Sequence, residues 1–494
     1  MKSKTKIWLR VSLCLLLALV TLMSAACGGN GGKKAQTTAK PSDPQQPTTP
    51  EGEENPLETI EVRNFDRDLV ILSPGYGGGS WYTTNGVSYE ETIAGDPILE
   101  QEYKRTLAFE EKYNCSVYAS GASSQDVYNS LDAMQRMQST DYDLVYPHPT
   151  DAICTMMTSG FFKDLNTVET MDLESDWYNQ RQVQNYQTNG KLYLAASDIT
   201  VTGQAFFAIV YNRANVAKYQ FPSTVKDLVE AGNWTVETFN EMITLTEFAG
   251  DNEDGTQLYG FSFNDMAIGR WIWALGGSIL DKNVEGEFVS GMTKNKVLAL
   301  ANALHTLINT HGSTVTVECF ANAGIPTSKL YTYFTAGKSV FIMFDIGSNF
   351  TYLRDVEFEK GYAPLPKLDK SQPDYYVNCA SGLMAIPAVT TSFEESGLMF
   401  EFFARYSHVN LLPTFFETIL GGRLSEFPED YEMLNFLHSK KTFDVGYTLD
   451  EKGIFLNLLQ VPVVTNKMPD GAAIILASKN NDMKEILKIA NGIE

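Results

Sequence analysis

Cysteine, histidine and glycine patterns are where covalent, metal or phosphate chemistry would show first, and here they are sparse. The six cysteines (Cys14, Cys27, Cys115, Cys154, Cys319, Cys379) contain no CxxC pair, so neither a zinc site nor a redox dithiol is spelled out. The five histidines form no HExxH motif and no acid–His cluster, which argues against a metal site. There is no GxSxG and no catalytic-triad order, and Gly77-Gly78-Gly79 lacks the Gly-Lys-Ser/Thr of a phosphate loop and reads as a flexible turn. A carboxylate pair could hide among the 60 acidic residues, but no spacing marks one. What remains is non-covalent chemistry: aromatic and planar polar side chains in two stretches, residues 74–85 and 147–151, each of which follows a short apolar run.

Those stretches need a scaffold. Residues 69–72 (LVIL) read as a strand stopped by Pro74 and Gly75. Asp96-Pro97 reads as a cap and first helical residue, opening a helix to about Tyr113. Residues 116–118 are a second strand. Val127, Leu131 and Met134, spaced i, i+4, i+7, predict a helix, and 142–146 (YDLVY) a third strand. This alternation predicts an α/β architecture with a parallel sheet, whose ligands bind beyond the carboxyl ends of the strands. A second α/β unit begins near Phe206, with strands at 206–211, 259–263 and 339–344 and a helix after Trp234-Thr235. No repeat of fixed period is present.

The chain has 494 residues, more than one core usually serves, so at least two lobes are expected. Its formal charge is -22. The first 26 residues carry Lys2, Lys4, Lys6 and Arg10 and no acid, so their removal would leave -26. Such a field excludes nucleic acid as a partner. The apolar stretch 11–23 is short for a membrane span and right for a signal peptide. Ser24-Ala25-Ala26-Cys27 then resembles the bacterial lipobox, with Ser24 where a Leu is usual. That resemblance implies a signal peptide over 1–26, lipidation of Cys27 and an anchor on the outer face of the cell membrane. Residues 28–56 have no aromatic and no Val, Ile, Leu or Met but five prolines, so a disordered tether is expected over 27–58.

Several ordered stretches resemble the bacterial extracellular solute-binding proteins of the maltose- and multiple-sugar-binding type (family 1). They are YDLVYPHPTDAICTMMTSGFFKDLN (142–166), KLYLAASDITVTGQAFFAIVYNRA (191–214), NWTVETFNEM (233–242), WALGGSILD (273–281), YFTAGKSVFIMFDIGSNF (333–350), GYAPLPKLD (361–369), SGLMAIPA (381–388) and the 414–448 region. The resemblance implies a two-lobe fold with a hinge and an interlobe cleft, lobe 1 from 59–200 and 366–412 and lobe 2 from 201–365 and 413–494. It implies a non-enzymatic receptor that closes on a small solute, most simply a sugar or oligosaccharide, and delivers it to the transmembrane subunits of an ABC permease, with no cofactor and no metal. By the same resemblance the solute would meet Tyr76, Trp81, Tyr82, Tyr146, His148, Asp151, Asp198, Asn264, Trp271, Asp345, Asn349 and Phe350, with Thr150, Gln204, Asp265 and Ser348 beside them. Trp271 and Trp273 stand two apart on a helix, so at most one can face the cleft. Trp234 reads as a packing residue. Tyr375-Tyr376 resembles the tyrosine pair of iron-binding relatives but has no acid–His company. Ser348-Asn349 stands where the maltose type has Trp, which argues against a maltodextrin. A peptide or polyamine receptor, a sensor-kinase receptor and an anchored glycan-active enzyme are the alternatives. The pairing of Cys115, Cys154, Cys319 and Cys379 stays open, with buried free thiols the simpler reading.

Overall fold

The computed structural model describes residues 55–74, 96–122, 124–147, 152–201, 206–218, 221–247, 258–309, 315–318, 328–346, 352–353, 356–379, 382–455, 458–459 and 470–492. The first apolar run forms β1 (Leu69–Pro74), with Leu69, Ile71 and Leu72 fully buried. An apolar strand without alternation suits the centre of a parallel sheet covered on both faces. Accordingly β1 lies between β2 (Val117–Ala122) and β3 (Leu144–Val145), parallel to both, with Leu69 opposite Val117 and Ile71 opposite Leu144.

Helix α1 (Pro97–Tyr113) starts as expected: the Asp96 carboxylate accepts from the Ile98 and Leu99 amides at 3.0 and 3.3 Å, and Pro97 loses no bond at the first turn. It ends at Asn114, left-handed at φ 52°. Helix α2 (Ser124–Met137) buries the stripe Val127, Leu131 and Met134.

The second sheet takes β5 (Phe207–Asn212), β6 (Tyr259–Asn264), β9 (Val315–Glu318), β10 (Ser339–Asp345) and β11 (Lys360–Ala363), in the order β11-β5-β10-β6-β9. It is mixed, not parallel: β9, β6 and β10 run together, while β5 is antiparallel to both β10 and β11. The reason is where β5 begins. Phe207 lies opposite Asp345, so the chain enters this sheet at the carboxyl end of β10 and must run the other way. Gly361 of β11 faces Tyr211 of β5, and a Cβ there would overlap the Tyr211 ring. Gly361→Ala is therefore expected to destabilise by about 1–3 kcal/mol in denaturant unfolding. An unchanged midpoint would mean the ring swings aside at no cost.

Helix α3 (Val236–Glu247) follows Thr235, whose Oγ1 accepts from the Thr238 amide at 3.3 Å. Trp234 is fully buried and its Nε1 donates to the Pro364 carbonyl at 2.7 Å, a packing role as expected. Helix α4 (Trp271–Ala274) leads through Gly276, at φ 70°, into the hairpin of β7 (Leu280–Lys282) and β8 (Phe288–Ser290). The chain returns beside its earlier path: β13 (Leu383–Met384) pairs antiparallel with β4 (Ala195–Ala196), and Ala385 exchanges hydrogen bonds with Val145 at 2.8 and 2.9 Å. Further on, β12 (Val377–Asn378) is parallel to β14 (Lys441–Thr442). Helix α5 (Phe393–Tyr406) continues into π-helical turns at Ser407–Leu411 and Phe415–Leu424. Helix α6 (Val445–Leu449) follows β14. Residues 441–451 bond to both sides: Phe443 O to Asn185, Thr448 to Tyr186 and Glu451 to Thr155, but Asp444 to Trp273 and Tyr447 to Arg270.

Candidate functional site

Strand carboxyl ends are where an α/β sheet presents loops to a ligand. The first sheet ends at Pro74 and Val145, the second at Asn264 and Asp345. Tyr76, Trp81, Tyr82, His148, Asp151, Asn349 and Phe350 lie outside the described residues, as do Thr150, Gln204, Ser348, Gly77 to Gly79 and Cys27. Tyr146 follows β3, anchored by its amide to the Leu72 carbonyl at 2.8 Å, and keeps only 7% of its surface exposed. Asn264 is the last residue of β6, opposite Glu318, and Asp345 the last of β10, opposite Phe207. Trp271 departs from its expected role. It has no exposed surface, packs edge-on against Phe261 at 6.4 Å, and its Nε1 has no acceptor among the described residues. It follows the short 3₁₀ turn Asp265–Arg270, which turns the indole into the core. Trp273 is buried too and lies away from the strand ends, its Nε1 donating to Asp444 at 2.9 Å.

At this edge the structure assembles a group that the sequence reading passed over. Arg270 is half-buried, its guanidinium 5.5 Å from the Phe207 ring and 4.9 Å from the Tyr447 ring. Nη1 donates to Asn378 Oδ1 at 2.5 Å and Nη2 to the Tyr447 hydroxyl at 3.1 Å. The Tyr447 ring is in turn held edge-on by Trp273 at 5.7 Å. A signal was present: Arg270 is the only basic residue between Lys226 and Lys282, in a stretch rich in acids.

Asp198 sits just beyond β4, and its Oδ2 pairs with His408 Nδ1 at 2.7 Å. Trp177 packs edge-on to His408 at 6.3 Å. Asp198 thus ties the stretch after β4 to the π-helical turn. The hydrogen bond to Asp198 raises the His408 pKa above its ordinary value of 6.5, against the opposing effect of burial. A group with a raised folded pKa contributes stability below its unfolded value and loses it as pH rises through the folded one. Stability is therefore expected to fall as pH climbs above about 6.5, and His408→Gln to flatten that slope in denaturant titrations at successive pH values. Equal slopes would show that the pair does not form in solution.

A cavity of about 310 Å³ opens between β7, β8 and the 442–445 segment, with Trp273, Phe288, Tyr376, Asn185, Lys282 and Asp444 on its walls. None of the residues expected to hold a solute lines it, and it lies off the strand ends. Asp444 there is buried and accepts from Trp273 Nε1 and from the amides of Ile279, Leu280 and Gly446 at 2.9, 2.6, 3.3 and 2.8 Å. Its pKa is pushed up to about 6, because burial outweighs those four donors. Tyr375 is buried and donates to the Val229 carbonyl at 3.3 Å, so it does not join Tyr376 as a ligand pair. Among the described residues no three His, Cys, Asp or Glu gather to hold a metal, and no helix is long and apolar enough to cross a membrane. Cys115, Cys154 and Cys379 are free thiols, and burial raises the thiols of Cys115 and Cys154. Cys319 lies outside the described residues.

No family model matches the chain, and no curated protein matches its sequence. Solved structures do match. The GacH receptor of Streptomyces glaucescens GLA.O, solved unliganded and with acarbose, superposes with a TM-score of 0.57 at 10% identity, over 86% of this chain and 99% of that one. The cyclic alpha-maltosyl-1,6-maltose binding protein from Arthrobacter globiformis gives 0.55 at 12%, over 86% and 98%. UgpB from Mycobacterium tuberculosis, in complex with glycerophosphocholine, gives 0.53 at 17%, over 79% and 96%. The fold is therefore the two-lobe α/β fold of the periplasmic and extracellular solute-binding proteins.

Proposed function

We propose that this chain is a solute-binding receptor that closes on a small solute, a sugar or oligosaccharide first, and delivers it to an ABC importer without catalysing a reaction. The observation that carries the reading is the fold match over 86% of this chain and 99% of the GacH receptor. Several neighbours in fold are solved with maltose, maltodextrins or cycloalternan, and the glycerophosphocholine complex makes a non-saccharide solute the alternative. The lobes we propose are 59–200 with 366–412 and 201–365 with 413–494. The first sheet falls within the first and the second sheet within the other, and residues 441–451 bond across both. Closure would turn about the stretches where the chain crosses between these lobes, near 200–201, 365–366 and 412–413. The lipobox-like 24–27 supports an anchor through Cys27 on the outer face of the membrane, with 28–58 as its tether.

The test is a thermal-shift screen of the full-length protein against mono- and oligosaccharides, polyamines and peptides. A specific solute raises the melting temperature by mass action. Shifts with polyamines or peptides and with no sugar would overturn the carbohydrate reading, and turnover of a glycan by the purified protein would overturn the receptor reading.

A further inference from the structure

Among the described residues Arg270 is a cation without a counter-ion. Its polar contacts are two neutral acceptors, Asn378 Oδ1 and the Tyr447 hydroxyl, and two ring faces. Among the described residues it makes no ion pair, although the guanidinium covers Phe207 at the carboxyl end of β10. In a chain with 60 acids and 38 basic residues an arginine has partners to hand, so a half-buried arginine left without one is informative. Its geometry is nevertheless fixed, because two rings and two hydrogen bonds hold the planar fork, and three of its five N–H groups stay unspent among the described residues.

Asn378 adds a second, independent observation. Its Oδ1 must face Arg270, since the amide nitrogen would set donor against donor. Its Nδ2 is consequently turned away, buried, and without an acceptor among the described residues. The residue itself is only 9% exposed. Every unspent polar group of the pair is a donor. Arg270 covers Phe207, which lies opposite the last residue of β10, and Asn378 is the last residue of β12, which pairs with β14. A preorganised guanidinium with an adjacent buried amide donor is complementary to a carboxylate or phosphate oxygen pair, and a neutral hydroxyl leaves the charge uncompensated.

We propose that the solute carries an oxyanion, a carboxylate or a phosphate ester, and that Arg270 grips it with Asn378 donating beside it. This rests on the receptor reading above. The test is isothermal titration of the full-length protein with four probes: short oligogalacturonides, the same oligomers methyl-esterified, glucose 6-phosphate and glucose. An acidic probe is expected to bind about 100-fold more tightly than its neutral counterpart, and Arg270→Met to lose about 100-fold for the acidic probe, with Arg270→Lys keeping part of the affinity. Binding by the oligogalacturonides alone assigns a carboxylate, and by glucose 6-phosphate alone a phosphate ester. Equal affinity for charged and neutral forms, or an unchanged Arg270→Met protein, overturns the oxyanion inference and leaves the receptor reading standing. Binding of no probe at all, with a normal melting transition, overturns the inference and counts against a saccharide receptor. The wild-type comparison of charged and esterified oligomers decides the matter even if Arg270→Met fails to fold.

Discussion

Asp444→Ala is expected to cost about 4 kcal/mol or more of folding stability, among the largest losses from a single side chain here. The carboxylate is the common acceptor for the indole of Trp273 in α4, for the amides of Ile279 and Leu280 where the chain enters β7, and for the amide of Gly446 at the start of α6. Alanine removes the acceptor and leaves four donors in a largely buried setting beside the cavity. Each orphaned donor costs on the order of 1–3 kcal/mol, moderated by relaxation. Asp444→Asn separates two effects. It keeps the volume and one acceptor oxygen but turns an amide toward donors, so it should also destabilise, by less. It further removes a titration. Because burial holds the Asp444 pKa at about 6, above its ordinary 3.8, ionisation is resisted by the fold. The stability this group contributes is present below about pH 4 and declines as pH rises toward 6. Denaturant unfolding across that window should show the wild-type decline reduced in Asp444→Asn. A flat wild-type profile, or an Asp444→Ala protein of normal stability, would mean that these donors find other acceptors.

Glu401→Ala is expected to be nearly as damaging, at about 3–5 kcal/mol. Glu401 is fully buried on α5 and takes the Tyr178 hydroxyl at 2.7 Å, Trp177 Nε1 and the Asp172 amide at 3.1 Å, and Arg405 Nε at 2.7 Å. Its loss strands a guanidinium that lies 4.7 Å above the Trp177 ring, and frees the phenol and the indole together. Trp177 also touches His408, so the damage should reach the Asp198–His408 pair. The pH dependence assigned to His408 should then weaken in Glu401→Ala even where the protein is still folded. Glu401→Gln keeps a buried acceptor and should lose less. If Gln and Ala behave alike, the charge on Glu401 is the essential element and not its acceptor oxygens.

These two acids show the limit of reading spacing. Asp444 and Glu401 carry no motif, and they matter because residues 165 and 224 positions away end beside them. Asp96 and Thr235, by contrast, were legible at once, because a helix cap acts on amides two or three residues on. The same holds for the stripe of Val127, Leu131 and Met134 and for the apolar strand at Leu69, whose periods are set by backbone geometry within one element.

The candidate site divides along the same line. That strand ends would carry it followed from the alternation of elements, so Asn264 and Asp345 fall at the carboxyl ends of β6 and β10 as read. Which way Trp271 turned did not follow, because a 3₁₀ turn shifts a side chain about an axis that residue spacing does not specify, and the core claimed it. The antiparallel β5 was likewise decided by the point at which the chain crosses between sheets. By itself the sequence determined the acidic balance of the chain and the local elements, the caps and the core stripes, which depend on neighbours within a turn or two. Only the tertiary structure could bring Arg270 to Asn378 and Tyr447, 108 and 177 residues further on, because that contact exists only once both sheets and the segments between them have packed.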